Sequence, residues 1–146
     1  MADTDLMQLY SRRILALTTA IPHQGRLDAP DGSAMRRSPQ CGSSVTVDVV
    51  MLDGRIAGFA QQVRACALGQ ASAAVLGDRV IGQSRDQISA TRDQLDAMLK
   101  QGGTPPVGDF ADLEALMPAR EFPNRHASIL LAWDATLAAI DQAQTA

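Results

Sequence analysis

Aromatic residues are scarce in this 146-residue chain, only 3% of it, and they are not interleaved with basic side chains. Single-stranded nucleic acid is usually held by stacking its bases on aromatics in a cationic groove, and duplex binders present a basic stripe. With 13 basic residues against 16 acidic ones and a net charge of −3, the chain offers neither, and no nucleic-acid partner is expected. No apolar run approaches the roughly 20 residues that span a bilayer, so no membrane partner is expected either. Cysteine is limited to Cys41 and Cys66, too few for the framework of a small disulfide-rich secreted domain. Ser11-Arg12-Arg13 before Ile14-Leu15 has the outline of a twin-arginine export signal. The apolar stretch is short, however, holds Thr18 and Thr19, and runs into Pro22-His23-Gln24 with no small-residue cleavage site. An amphipathic helix with Leu6, Leu9, Tyr10, Arg13 and Leu17 on one face, capped by Asp3 or Thr4 and ending near Thr19, fits better. The expected location is cytoplasmic, where both cysteines are thiols.

What the chain does have is 46% hydrophobic residues, mostly Ala, Leu, Val and Ile, enough to fill one core. One domain spanning 1–146 is expected. Residues 22–44 read as a loop with one short strand near 34–37. Val45, Val47 and Val49 then alternate with Thr46 and Asp48, which predicts a strand. Asp53-Gly54 is a two-residue hairpin turn, since both positions tolerate positive φ, and the return strand runs from Arg55 to Val63. Beyond Cys66 the pattern is helical. Leu68, Ala71 and Val75 share a face. Ser84-Arg85-Asp86-Gln87 forms a capping box for a helix that Gly102-Gly103 closes. Phe110, Leu113 and Leu116 suggest a short helix stopped by Pro118, and Asn124 is the expected cap of a last helix whose inner face includes Ile129, Trp133, Leu137 and Ile140. The expected fold class is α+β: a small antiparallel sheet, hairpin 45–63 plus a short strand, covered on one face by helices.

Three segments in order carry a resemblance. Pro39-Gln40-Cys41-Gly42, then Ala65-Cys66-Ala67 leading to Ala71-Ser72-Ala73, then Phe122-Pro123-Asn124-Arg125-His126-Ala127 leading to Leu131-Ala132-Trp133, resemble the three ligand loops of the SufU/IscU/NifU-type iron–sulfur cluster assembly scaffolds. The Phe-Pro-x-Arg approach and the Leu-Ala-Trp exit are similar to SufU in particular. Thr104-Pro105-Pro106-Val107 is similar to the chaperone-docking segment of IscU, but it lacks the lysine and lies too far ahead of His126 for that role. The resemblance implies a scaffold or sulfur acceptor rather than an enzyme. It implies a cysteine desulfurase and other iron–sulfur assembly proteins as partners, and a monomer or homodimer. It also implies a site built from three Cys and one Asp, with a His beside the third Cys in IscU.

This chain keeps only part of that site. Ser43 stands at the Asp position and Ala127 at the third Cys position, leaving Cys41, Cys66 and His126 as the implied ligands. Thiolate and imidazole suit zinc or cluster iron. A closed zinc site or a cluster takes four ligands, so three donors imply weak or transient binding of Zn, Fe or a [2Fe–2S] cluster. An outside thiol, a second subunit, or a side chain such as Asp109, Asp112 or Glu121 would be needed to complete the set. Cys66 is expected to open a helix, where backbone N–H groups favour a thiolate. Cys41, by analogy with the first-loop cysteine of SufU, is the candidate persulfide acceptor. Arg64 either supports a Cys66 thiolate or is a solvated strand end, and Arg125 either orients the site or binds an acidic partner. His23 reads as structural, and Trp133 as core. Two other functions remain open: a metal-free docking or regulatory module of the same machinery, and a thiol redox protein that pairs Cys41 with Cys66 and uses His126 as base.

Overall fold

Asp53 and Gly54 both adopt positive φ, 53° and 77°, the backbone that a tight hairpin demands. The computed structural model describes residues 10–39 and 42–145. The turn joins β2 (Ser44–Leu52) to β3 (Arg55–Arg64), and β1 (Gly32–Arg37) adds antiparallel to the other side of β2, in the order β1-β2-β3. Val45, Val47 and Val49 point to one face and are buried there with Ile56 and Phe59. The helices cover that face: α1 (Arg12–Thr18), α2 (Ala67–Arg79), α3 (Arg85–Lys100), a 3₁₀ segment over Gly108–Glu121, and α4 (His126–Thr145). The α+β arrangement is therefore as expected. None of the described helices is long and apolar enough to cross a membrane.

Close approach explains Gly32 and the small residues of α2. α4 crosses β1 so tightly that a β-carbon on Gly32 would meet the Ala139 carbonyl and lie 2.7 Å from the Ala143 amide nitrogen. α2 is buried nearly all round, from Leu68 to Gly77, because it lies between α1, α4, the 3₁₀ segment and β3. A helix surrounded by other elements has no polar face to present, and its Gly, Ala and Ser residues let those elements come close. The capping box of α3 forms as expected, with Ser84 Oγ accepting from the Gln87 amide (3.2 Å) and Gln87 Oε1 accepting from the Ser84 amide (2.8 Å). Gly102 takes the positive φ of 68° that closes it.

Several expectations need correction. The helical face read from Leu6 through Leu17 breaks at Ser11, which is extended (φ −62°, ψ 166°) and caps α1 with its hydroxyl. The proposed caps Asp3 and Thr4 lie outside the described residues. On α1 it is Ile14 that is fully buried, while Arg13 faces outward toward Asp112 and Glu114. Pro118 does not stop the helix after Phe110. The segment runs on to Glu121 as 3₁₀, and four of its five buried residues, Phe110, Leu113, Leu116 and Ala119, recur every third position, with Ala115 the fifth. Three residues per turn stack such positions on one face, which holds the segment together around the proline. Asn124 does not cap α4. The amide of Arg125 bonds to the Phe122 carbonyl at 2.9 Å, a short 3₁₀ turn fills 123–125, and α4 begins at His126.

Asp48 alternates away from the valines, yet it is fully buried. The chain at Arg26-Leu27 folds across the outer sheet face and encloses it. Its carboxylate accepts from Arg26 Nε (2.7 Å) and Nη2 (3.0 Å), from the Leu27 amide (3.0 Å) and from Ser33 Oγ (2.5 Å). Burial pushes the Asp48 carboxyl up, but the bonds from Arg26, Ser33 and Leu27 together outweigh it and hold the group below the usual carboxylate range. A depressed carboxyl contributes stability above its unfolded value, about 3.9, and that contribution is lost as pH falls through the lower folded value. Urea melts should therefore show wild type more stable than Asp48→Asn at pH 6, with the gap shrinking as pH falls below about 4. A gap that stays constant down to pH 3 would mean that the charge on Asp48 does not stabilise the fold.

Candidate metal- and sulfur-handling site

Cys66 is the N-cap of α2, extended at φ −66° and ψ 171°, with no side-chain cap bond and no acidic residue in the first turn of the helix. It sits at the end of β3, where the sheet hands the chain to the helix layer, so the sequence-expected helix start is where it was placed. The thiol is half-buried, and its Sγ lies 3.6 Å from Ser128 Oγ. Ser128 Oγ in turn lies 3.2 Å from Ser43 Oγ, and both serines are buried. A polar line thus runs from the β1–β2 loop through α4 to the thiol. Ser128 is a site residue that sequence reasoning missed. The signal available was Gly69 in the first turn of α2, where a β-carbon would sit 2.7 Å from Ser128 Oγ, but that pairing spans the whole second half of the chain.

Cys41 lies outside the described residues. The chain on either side of it is closed into a tight connection: the Ser38 amide bonds to the Ser43 carbonyl (2.8 Å) and the Gly42 amide to the Ser38 carbonyl (3.1 Å). Gly42 and Ser43 line an open hollow of about 390 Å³ together with Arg64, Ala65, Cys66 and Arg125. The structure therefore brings the first and second motif segments to one place.

His126 begins α4 and is buried. Its Nε2 lies 2.8 Å from the Ala119 carbonyl. A carbonyl only accepts, so Nε2 carries a hydrogen and donates, which makes Nδ1 the ring nitrogen that can offer a lone pair. Metal-binding histidines are commonly oriented in this way by a bond from the second ring nitrogen. His126 is not among the residues lining the hollow, and among the described residues no three His, Cys, Asp or Glu side chains are grouped to hold a metal. Ala127 is exposed, between the buried His126 and Ser128. Asp109 and Asp112 do not approach Cys66. They pair with Arg79 and Arg13, and Arg79 ends the 13-residue helix that Cys66 begins, roughly 20 Å away at 1.5 Å per residue. His23, read as structural, makes a positive-φ turn (61°) whose carbonyl accepts from the Gln61 amide, and its ring meets Phe59 edge-on at 6.0 Å. Trp133 is fully buried core, as expected.

Among the described residues, the Cys66 thiol and the His126 imidazole are not grouped with a third donor. They do not fit a closed four-ligand site.

No family model matches the sequence. Individual proteins do. The iron–sulfur cluster assembly scaffold protein IscU of Streptococcus pyogenes is 27% identical over 146 residues, covering 100% of this chain and 91% of that protein. The crystal structure of a nitrogen-fixing NifU-like protein (N-terminal) from Brucella abortus superposes with a TM-score of 0.94 at 42% identity, covering 97% of this chain and 98% of that one. FiSufU of the thermophile Fervidobacterium islandicum shares the fold, with a TM-score of 0.82 at 19% identity and coverage of 92% and 98%. With 42% identity to the Brucella domain across 97% of the chain, a superposable fold and three ordered motif segments, the chain belongs to the SufU/IscU/NifU family of iron–sulfur cluster assembly scaffolds.

Proposed function

We propose that this chain works in iron–sulfur cluster assembly as a cytoplasmic scaffold or sulfur acceptor, receiving sulfur from a cysteine desulfurase and holding its cargo only loosely. The observation that supports this reading is the convergence of Cys66 with Gly42 and Ser43, the residues that follow Cys41, in one open hollow. Cys41, Cys66 and His126 are the residues assigned to the cargo, which is zinc, iron or a nascent [2Fe–2S] cluster. His126 would contribute Nδ1, since Nε2–H is committed to the Ala119 carbonyl. Cys41 is assigned as the persulfide acceptor, because a loop cysteine released from a metal is free to meet a partner's sulfur. With Ser43 and Ala127 in place of two anionic ligands, the site lacks the donors for a tight four-coordinate centre.

Anaerobic purification followed by elemental analysis for zinc and iron, with free-thiol titration, tests the reading. Substoichiometric metal that is lost on a gel-filtration column is the expected result, with Cys41→Ser and Cys66→Ser each abolishing it. A cysteine desulfurase supplied with cysteine should label Cys41 with one persulfide sulfur. No metal in any preparation and no persulfide on either cysteine would sink the proposal. The lack of a grouped set of three donors among the described residues favours one alternative specifically, a metal-free docking module. That alternative predicts desulfurase binding without metal or persulfide.

A further inference from the structure

The charge at the cysteine end of the molecule has no counterpart in the functional reading above. Arg13, Arg26, Arg79, Arg85, Arg92 and Lys100 each face a carboxylate. Arg36, Arg55 and Arg120 hold backbone carbonyls. Among the described residues, the other four cations, Arg12, Arg37, Arg64 and Arg125, make neither an ion pair nor a side-chain hydrogen bond. Three of those four lie at one end of the fold. Arg37 pairs with Ser44, and Ser44 pairs with Arg64, which puts the two arginines on the same face of the sheet end from which the chain enters the site. Arg64 and Arg125 line the hollow with Cys66. Among the described residues, no carboxylate lines it, and none stands in the first turn of α2. A protein of net charge −3 thus leaves three of these four cations at the end where the family resemblance predicts an aspartate and a third thiolate.

Loss of two anionic ligands by itself would make this a poorer metal site and leave its charge near neutral. Two such guanidinium groups lining one hollow with the Cys66 thiol go further, because they raise the local concentration of anions and present planar donors suited to oxyanions and carboxylates. We infer that the Cys66 hollow is an anion-recognition site, in which Arg64 and Arg125 seat a small sulfur-bearing anion such as thiosulfate or polysulfide against the thiol. The inference deepens the sulfur-acceptor reading and rests on it for the identity of the anion. The site itself rests on the arginines.

Two alkylating probes of similar size separate charge from reactivity. Iodoacetate is an anion and iodoacetamide is neutral, yet both are attacked by the same thiolate. The ratio of their rates at Cys66 therefore cancels the thiolate fraction and reports the field around the sulfur. Rates at Cys66 can be read in the wild-type protein by mass spectrometry of its peptide, with and without EDTA. Relative to a short cysteine peptide, the iodoacetate-to-iodoacetamide ratio should be about tenfold higher at low ionic strength, the lower end of electrostatic enhancement. It should fall toward the peptide value in 0.5 M salt, where charges are screened within about 4–5 Å, and with millimolar thiosulfate as competitor. The Arg64→Gln/Arg125→Gln variant should lose the preference, and Arg12→Gln should keep it. If the double variant fails to fold, thiosulfate competition against wild type at constant ionic strength still decides the matter. A ratio equal to that of the peptide, or one that thiosulfate does not lower, overturns the inference. Metal content of the same sample separates the two readings: metal without an anion preference leaves the scaffold proposal standing alone, and an anion preference in a protein that never holds metal or persulfide does the reverse.

Discussion

If Cys41, Cys66 and His126 hold the cargo as proposed, Ala127→Cys is expected to tighten zinc binding by about two orders of magnitude, because it would add a fourth protein donor to those three. The position is suited to the test. Ala127 is exposed at the start of α4, between His126, oriented through its Nε2 bond to Ala119, and Ser128, whose hydroxyl touches the Cys66 sulfur at 3.6 Å. A cysteine there adds one sulfur atom in the direction of solvent, so no core contact is disturbed. Competition with a colorimetric zinc chelator at fixed pH reads the affinity of wild type, Ala127→Cys, and Ala127→Cys combined with Cys41→Ser. Equal zinc retention by wild type and Ala127→Cys would mean that residue 127 does not face the metal. Tight binding that survives Cys41→Ser would mean that the first-loop cysteine is no ligand. A large gain confined to Ala127→Cys would show that the natural chain has relinquished firm metal binding, in keeping with arginines at the site that pair with no carboxylate among the described residues.

Trp133→Ala should cost about 3–5 kcal/mol of folding stability, the usual range for deleting a buried large aromatic. For a domain whose net stability is on the order of 5–15 kcal/mol, that is enough to leave a marginal or unfolded protein. Trp133 is fully buried, its ring meets Phe110 edge-to-face at 5.0 Å, and its indole N–H donates to Ser72 Oγ at 3.0 Å. Ser72 donates onward to the Ile129 carbonyl at 2.7 Å. One side chain therefore ties α4, α2 and the 3₁₀ segment together, and its loss opens a cavity where the three meet. Trp133→Phe keeps most of the volume and removes only the N–H bond, for an expected cost of about 1 kcal/mol. Since Trp133 is the only tryptophan, urea melts of these variants must be followed by circular dichroism. A melt of Trp133→Ala within 1 kcal/mol of wild type would contradict its role as the joint of the helix layer.

The site was legible in the sequence only in part. Cys66 at a helix start could be read locally, because a strand-like run, a cysteine and a small-residue helix follow one another directly. Ser128 could not, because its contact with Cys66 joins residues 62 apart and depends on how closely α2 and α4 cross at Gly69. Asp109 and Asp112 do not complete the ligand set, for a related reason. Both are acidic and near in sequence to the third motif, but the 3₁₀ segment carries them to the far end of α2, beside Arg13 and Arg79.

Determined by the sequence itself are the features that a few neighbouring residues decide. The Asp53-Gly54 turn follows from its tolerance of positive φ, the alternation of Val45, Val47 and Val49 fixes which face of the hairpin is buried, and the Ser84–Gln87 capping box sets the start of α3. In each case the energy lies in backbone conformation or in bonds three residues apart, so no distant partner is needed. The tertiary structure alone decided the rest. It buried Asp48 by folding Arg26 and Leu27 over it, let the 3₁₀ segment run through Pro118 because every third side chain reached the core, and left Arg37, Arg64 and Arg125 at the cysteine end without partners among the described residues. Charge and burial are properties of surroundings, and the surroundings of a residue are set by chain segments that the local sequence does not contain.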